Sequence, residues 1–143
     1  MQRTATAVWT GTLREGNGKI STASGVLKDA PYSFLTRFEN GQGTNPEELI
    51  GAAHAACLAM ALSAQLSTMN FTPQSIQTSA TVSVEKLEAG WTISKIHLDL
   101  TARIPGITQS AFESAVASAK ANCPVSRLFK AEISLTAVLE PAA

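Results

Sequence analysis

The sequence predicts an α+β fold in which most strands are antiparallel. Segment 46–69 is apolar nearly all round, which is typical of a buried helix. On both sides of it, segments alternate polar and apolar residues between turn signals, as half-buried strands do. At 143 residues the chain fits a single domain. We divide that domain into an N-terminal β part, 1–43, and a second part, 44–143, with a helix, a hairpin, a second helix and a strand.

The N-terminal part is predicted to be mostly strand. Alternating Thr, Val, Ile and aromatic residues, interrupted by Gly-rich or Ser-rich turns, favour short paired strands. The expected strands are 4–13, 19–22, 26–28 and 31–38.

The central helix has a clear start signal. Asn45 suits the cap position, Pro46 the first helical position and Glu48 the capping-box position. The helix is expected to run to about Met69. Its many small residues would allow another backbone to approach closely.

The second part continues with two long alternating segments joined at Glu88-Ala89-Gly90, which predicts a hairpin. A helix capped by Thr108 is expected next, and Pro124 begins a shorter one. The expected elements are strands 76–87 and 91–103, helices 108–122 and 124–130, and strand 131–140.

The charge balance excludes some partners. Eleven basic and eleven acidic residues give zero formal charge, so nothing electrostatic favours nucleic acid or an anionic membrane surface. The N-terminus lacks the apolar core of a signal peptide. We expect no membrane-spanning run, because His54, Ser63 and Gln65 interrupt the apolar helix. The prediction is a cytoplasmic protein, where two cysteines do not form a structural disulfide framework.

Both cysteines occupy special helical positions. Cys57 lies in the middle of the central helix, one turn after His54, which could tune its thiol. Cys123 lies where a helix begins, and backbone N–H groups there favour a thiolate. Most buried cysteines only pack against their neighbours. A metal site formed by His54, Cys57 and Cys123, with His97 as the other histidine, is a further alternative, although zinc sites usually show paired short spacings.

Two motifs resemble those of the OsmC/Ohr family of thiol-dependent peroxidases. They are the segment 45–57, Asn-Pro-Glu-Glu-Leu-Ile-Gly-Ala-Ala-His-Ala-Ala-Cys, and the segment 122–126, Asn-Cys-Pro-Val-Ser. Segments 3–11 and 93–97 resemble the OsmC (osmotically inducible protein C) branch. The resemblance implies one OsmC-like domain over 1–143, in an intertwined homodimer whose antiparallel sheets wrap around the central helices. It also implies a role in the stress response.

The same resemblance implies the site residues. Cys57 would attack the O–O bond of an organic hydroperoxide and become a sulfenic acid, and Cys123 would close a disulfide with it. Arg37 and Glu47 match the polar pair that activates the thiol. The resemblance implies no prosthetic cofactor and no metal. An external dithiol, in some members a lipoylated protein, would restore the thiols.

These residue types suit that chemistry independently. The thiolate is the nucleophile, so a buried cysteine needs a nearby cation. An arginine can hold a carboxylate with two hydrogen bonds and still present donors to sulfur or peroxide oxygen. An apolar pocket would favour alkyl hydroperoxides over hydrated hydrogen peroxide.

The spacing of Glu47 and Cys57 makes a geometric prediction. They are ten residues apart on one predicted helix, which is about 15 Å along the axis and about 80° around it. They cannot touch within a straight helix. Either the helix breaks between them, or Glu47 comes from another protomer and the active sites are shared across a dimer interface.

Two other functions remain open at this stage. A cysteine-nucleophile hydrolase or acyltransferase would need a histidine and an orienting acid beside Cys57, and would give Cys123 no necessary role. A non-enzymatic ligand-binding dimer would leave both cysteines chemically inert.

Overall fold

The computed structural model describes residues 1–142, in which two three-stranded sheets and four helices confirm the α+β prediction. The chain forms two compact units, Met1–Leu49 (unit 1) and the residues from Ile50 onward (unit 2). In chain order the elements are β1 Ala5–Thr10, β2 Asn17–Thr22, β3 Ala30–Tyr32, α1 Phe34–Phe38, α2 Pro46–Thr68, β4 Ser75–Leu87, β5 Gly90–Arg103, α3 Gln109–Asn122, α4 Pro124–Leu128 and β6 Glu132–Glu140.

Unit 1 is built on the antiparallel sheet β1-β2-β3. Every residue of β1 is exposed. At Gly18, an added Cβ would meet the Tyr32 ring at 2.3 Å and the Trp9 ring at 2.8 Å. Glycine is therefore required where the two rings, with centroids 5.5 Å apart, close over β2.

Two predicted strands in unit 1 are wrong. Segment 26–28 belongs to a turn in which the Thr22 hydroxyl accepts a hydrogen bond from the Leu27 N–H. Of the predicted strand 31–38, only the beginning is extended, and the remainder is α1. Ser33 and Thr36 form a capping box, with each side chain accepting a hydrogen bond from the other's backbone N–H. That local signal overrides the alternating pattern, so Arg37 lies on a helix.

Helix α2 confirms the predicted central helix to within a residue. The Asn45 side chain accepts a hydrogen bond from the Glu48 N–H at 2.8 Å, and the Glu48 carboxylate accepts one from the Thr44 hydroxyl at 2.7 Å. The helix then runs without a break to Thr68. Asn70, with a φ of 62°, turns the chain away after it.

The expectation that no segment is long and apolar enough to span a membrane is wrong for α2. An 18-residue window of this helix has a mean hydropathy of 1.6, because its Ala, Leu and Met residues outweigh the few polar ones. Length and composition are weak indicators here, since the core helix of a soluble protein passes the same test. Only 28% of that window is buried in the chain. Its exposed residues include the apolar stripe Ala52, Ala56, Met60 and Ala64.

Unit 2 carries the main core. In its sheet, ordered β4-β5-β6, β4 and β5 form the predicted hairpin. The crossover through α3 and α4 makes β6 parallel to β5. Leucines four residues apart on α2 face alternate residues of β5 and one side of α3. The fully buried members of this core include Leu58, Leu62, Leu66, Ile96, Leu98 and Phe112.

Candidate active site

Unit 2 brings the two cysteines together. Cys57 projects from α2, and Cys123 occupies the position between α3 and α4. Their Sγ atoms are 3.0 Å apart, and both thiols are free. Cys57 is half-buried and Cys123 has no exposed surface. The pair is reduced and in hydrogen-bonding contact.

An apolar groove of about 550 Å³ opens beside Cys57. Its walls include Ala56, Met60 and Ala64 of α2 together with Pro124. Cys57 lines this groove, whereas the Cys123 side chain is buried behind it. A hydroperoxide entering the groove would therefore meet Cys57 first.

The surroundings do not by themselves activate Cys57. Burial raises the pKa of the Cys57 thiol, and the hydrogen bond with Cys123 raises it further, while the Val125 backbone N–H lowers it. Within the described part of unit 2, no basic side chain is among the groups that shift this pKa. A thiolate at Cys57 would therefore need a cation from another source.

The pKa of Cys123 is shifted in the opposite direction, below its usual value. Burial acts to raise the pKa of Cys123, but the hydrogen bond from Cys57, the N–H and hydroxyl of Ser126 and the Val125 N–H together lower it. The Cys123 side chain, at the cap position of α4, accepts no capping hydrogen bond of standard geometry from the backbone of that helix. The geometry of the 3.0 Å contact between the two sulfurs instead has Cys123 as the donor. Because the donors converge on Cys123, we assign the shared proton to Cys57.

Unit 1 brings Arg37 and Glu47 together. Arg37 Nη2 donates to Glu47 Oε1 at 2.7 Å, and Arg37 Nε lies 3.1 Å from the same oxygen. Glu47 is buried, whereas 41% of the Arg37 side chain is exposed. The Asn45 amide donates to the Thr36 carbonyl at 3.0 Å and so ties α1 to the start of α2. The carboxylate fixes the guanidinium and leaves part of it free for another ligand.

Aromatic residues surround Arg37. A cavity of about 280 Å³ lies beside it, and the Arg37 guanidinium carbon is 5.3 Å from the centre of the Phe38 ring. The aromatic residues that line this cavity are Trp9, Tyr32, Phe34 and Phe38. An alkyl or aryl group would be accommodated there beside a positive charge.

The buried His54 and the half-buried Ser126 form a pair that the sequence analysis did not predict. His54 has no exposed surface, and its Nε2 is 2.7 Å from Ser126 Oγ. The ring packs edge-on against Phe129, and burial lowers the pKa of His54. Among residues 1–142, no hydrogen-bond partner faces His54 Nδ1. The available signal was a polar residue three positions after Cys123 in the second motif.

The metal alternative has no support in the described residues, where no group of three or more His, Cys, Asp and Glu side chains could hold an ion. His97 instead has its Nδ1 2.6 Å from Ser134 Oγ. It alternates along β5 with the buried Ile96 and Leu98, so it faces away from the core.

Comparison with known proteins identifies the family. A family model described as "OsmC-like protein" matches residues 39–138. The chain is also 55% identical over 129 residues to "Peroxiredoxin OsmC" of Escherichia coli (strain K12), covering 90% of each chain. This chain belongs to the OsmC-like family. The predicted family resemblance is thereby confirmed.

More distant members of the family share the fold. An "Organic hydroperoxide resistance protein" of Xanthomonas axonopodis pv. citri is 28% identical over 100 residues, covering 69% of this chain and 68% of that one. The crystal structure of an organic hydroperoxide resistance protein OsmC from Legionella pneumophila is 25% identical, with a TM-score of 0.67 and 96% of each chain covered. The OsmC-like fold predicted from the sequence is therefore confirmed.

Proposed function

We propose that this chain is a thiol-dependent peroxidase that reduces organic hydroperoxides to alcohols, with Cys57 as the peroxidatic and Cys123 as the resolving cysteine. The relatives named peroxiredoxin and organic hydroperoxide resistance protein support the activity. The observation that carries the residue assignment is the 3.0 Å contact between a thiol that lines an apolar groove and a fully buried thiol.

The reaction follows from the positions of the two sulfurs. The Cys57 thiolate attacks one peroxide oxygen, the O–O bond breaks, and the alkoxide leaves as an alcohol after taking up a proton. Cys57 is then a sulfenic acid, and attack by Cys123 yields a disulfide and water, which prevents over-oxidation. The two electrons come from the thiols, so the step needs no prosthetic group. An external dithiol, which we propose to be of the lipoyl type, reduces the disulfide by exchange.

We further propose that Arg37 and Glu47 of the partner protomer activate Cys57. The raised pKa of Cys57 calls for a cation, and the ion-paired Arg37 offers a fixed one. Helix α2 has no break between Glu47 and Cys57, so about 15 Å of axial rise separates them. Because this helix is uninterrupted, we propose that Arg37 and Glu47 come from the partner protomer.

The surface of α2 supports a homodimer. Its stripe of small apolar residues around Met60 is exposed in the single chain, and Met60 itself is 74% exposed. Small residues let two helices approach closely, and burial of such a stripe stabilises an interface. The same arrangement would complete the wall of the groove beside Cys57. We also propose a cytoplasmic location, because free thiols persist in a reducing compartment.

A single-turnover experiment tests the function. Fully reduced protein is mixed with one equivalent of cumene hydroperoxide, and intact-mass and peptide mass spectrometry follow, with Cys57→Ser and Cys123→Ser in parallel. We expect the loss of two hydrogens and a Cys57–Cys123 cross-linked peptide. In Cys123→Ser we expect sulfenic or higher acids on Cys57. Unreacted thiols with the peroxide still present would reject the peroxidase and direct attention to acyl substrates.

A further inference from the structure

The reduced pair of cysteines is also a ligand-binding arrangement. The Cys57 and Cys123 Sγ atoms lie 3.0 Å apart, and both thiols are free. Two thiols in one site bind a soft, thiophilic centre more strongly than a single thiol does, because the second bond forms within the same molecule. The centre that such a pair selects depends on the number of ligands it supplies and on the distance between its sulfurs.

The number of ligands argues against a zinc-type ion. A structural zinc ion takes four protein ligands. Within residues 1–142, no group of three or more His, Cys, Asp and Glu side chains could hold an ion. The 3.0 Å separation is also too short, since two sulfurs on a tetrahedral zinc with bonds of about 2.3 Å lie roughly 3.8 Å apart. The pair therefore fits a centre that needs only two protein ligands.

A trivalent arsenic atom with one carbon substituent is such a centre. It forms three bonds, one to the carbon and two to sulfur, and the angles between these bonds are not far above a right angle. Its two sulfurs therefore lie closer together than those on tetrahedral zinc, but farther apart than the about 2.05 Å of a disulfide bond. The contact of Cys57 with Cys123 falls within that interval.

The groove beside Cys57 has room for the carbon substituent. It encloses about 550 Å³, and its walls are mostly apolar. Asn122 and Pro124, the neighbours of Cys123 on both sides in the chain, also line it. An arsenic atom bonded to Cys57 on the groove side therefore lies next to the segment that carries Cys123. A phenyl ring on that arsenic would be buried against Ala56 of α2.

We propose that the reduced Cys57–Cys123 pair chelates monosubstituted trivalent arsenicals, with the substituent in the groove beside Cys57. Cys57 is the accessible thiol and bonds to arsenic first, and Cys123, which has no exposed surface, closes the ring. With phenylarsine oxide, two S–H bonds and the arsenic–oxygen double bond break, and two arsenic–sulfur bonds form. The oxygen leaves as water with both protons. Arsenic stays trivalent, so no oxidant or reductant takes part.

This binding needs only unit 2. The product is a neutral centre in an apolar groove, so no cation has to stabilise it, in contrast to the thiolate that attacks a hydroperoxide. Arsenical binding therefore does not depend on the proposed peroxidase function. If the chain has both properties, an arsenical and a hydroperoxide compete for the same thiols.

The test uses the reduced full chain with phenylarsine oxide and without hydroperoxide. Intact-mass spectrometry should show one phenylarsenic group per chain with the loss of two hydrogens. The adduct should survive excess β-mercaptoethanol, which displaces arsenic from single thiols, and dimercaptopropanol should remove it. Cys57→Ser and Cys123→Ser each leave one sulfur, and both should bind at least about 100-fold more weakly, which is the size of a chelate effect.

Two variants on the exposed face of α2 test the placement of the substituent. Ala56 lines the groove, and Ala52 lies one turn earlier on the same exposed stripe, outside the residues that line it. Ala56→Phe should weaken phenylarsine oxide binding about tenfold more than arsenite binding, because it fills the space of the ring. Ala52→Phe should weaken neither. Competition with dithiothreitol cancels the intrinsic difference between the two arsenicals.

Either of two results would overturn the proposal: two arsenic groups on one chain, or loss of the adduct to β-mercaptoethanol as fast as from the two serine variants. Equal effects of Ala56→Phe and Ala52→Phe would overturn the placement of the substituent. If a serine variant does not fold, the stoichiometry and monothiol resistance of the unmodified chain decide. A chain that retains the arsenical but consumes no hydroperoxide contradicts only the proposed function, and the reverse result contradicts only arsenical binding.

Discussion

The two units each hold half of the proposed active site, and their chemistry is complementary. Unit 1 contains a fixed ion pair, Arg37–Glu47, beside an aromatic cavity. Unit 2 contains the two thiols in a well-packed core, where burial raises the pKa of Cys57. Unit 1 offers a fixed positive charge but no cysteine, whereas unit 2 holds both cysteines but, in its described part, no basic side chain that acts on the pKa of Cys57. Under the proposed mechanism, the reactivity of Cys57 depends on Arg37 and Glu47 of the partner protomer.

The largest expected effect distinguishes the two thiols within unit 2. Cys57→Ser should abolish hydroperoxide consumption, because it removes the nucleophile. With excess hydroperoxide, the unmodified chain should stop near one equivalent when its disulfide closes, whereas Cys123→Ser should consume more, because its unresolved sulfenic acid is oxidised further. Peroxide consumed per chain in the absence of reductant is the measurement. Full consumption by Cys57→Ser would show that Cys57 is not the reacting residue.

The next effect tests whether unit 1 supplies the charge. Arg37→Met should lower the second-order rate constant for Cys57 oxidation about 100-fold, since a fixed donor to developing negative charge is worth about that much. Arg37→Lys retains the charge but not the two-pronged contact and should lose less. The exposed pair Arg103–Glu140, with a 2.8 Å contact, provides the control Arg103→Met. Equal rates for Arg37→Met and Arg103→Met would remove Arg37 from the mechanism.

A third prediction compares the two sides of α2. Leu62 is fully buried in the core, so Leu62→Ala should lower the free energy of unfolding by about 2–5 kcal/mol. Met60 faces outward, so in the proposed homodimer Met60→Glu should leave the fold intact and shift the protein from dimer to monomer. Urea unfolding and sedimentation velocity measure the two effects. A Met60→Glu protein that remains a dimer would place the interface elsewhere.

The sequence predicted the long elements better than the short ones. The limits of α2, the hairpin and α3 follow from periodicity and caps that act within one element, such as Asn45 and Thr108. Helix α1 was missed because a five-residue helix has too little periodicity to override an alternating pattern, and only the Ser33–Thr36 box determines it. The distance between Cys57 and Cys123 depends on the packing of α2 against α3 and α4, which no local signal contains.

The contact between His54 and Ser126 could not be predicted from local sequence signals either, because it also depends on tertiary packing. Ser126 was noted only as part of a motif, and His54 only as a neighbour of Cys57 along the helix. Their hydrogen bond joins residues 72 positions apart. A contact of that sequence separation is a product of tertiary structure, so composition and spacing could not reveal it.

The smallest predicted effect is a pH dependence of stability that His54 carries. Burial lowers the pKa of His54 below its usual value of 6.5, so the unfolded chain binds a proton at a higher pH than the folded chain does. Its contribution to stability is therefore complete above pH 6.5 and is lost as the pH falls toward the lowered pKa. The slope is at most about 1.4 kcal/mol per pH unit.

Urea unfolding at pH 7.5, 6.5 and 5.5 measures this effect. The free energy of unfolding of the unmodified chain should fall more steeply below pH 6.5 than that of His54→Gln. Parallel curves for His54→Gln and the unmodified chain would contradict the predicted burial of a neutral His54.

The most direct test of the account is a mixed dimer. Arg37→Met and Cys57→Ser chains carrying different affinity tags are co-expressed, and the dimer that binds both affinity resins is assayed for reduction of cumene hydroperoxide. If the sites are shared between protomers, one site combines an intact Arg37 with an intact Cys57, and about half of the unmodified activity should appear. If each site lies within one protomer, both sites are defective. A mixed dimer as inactive as its parents would contradict the shared site.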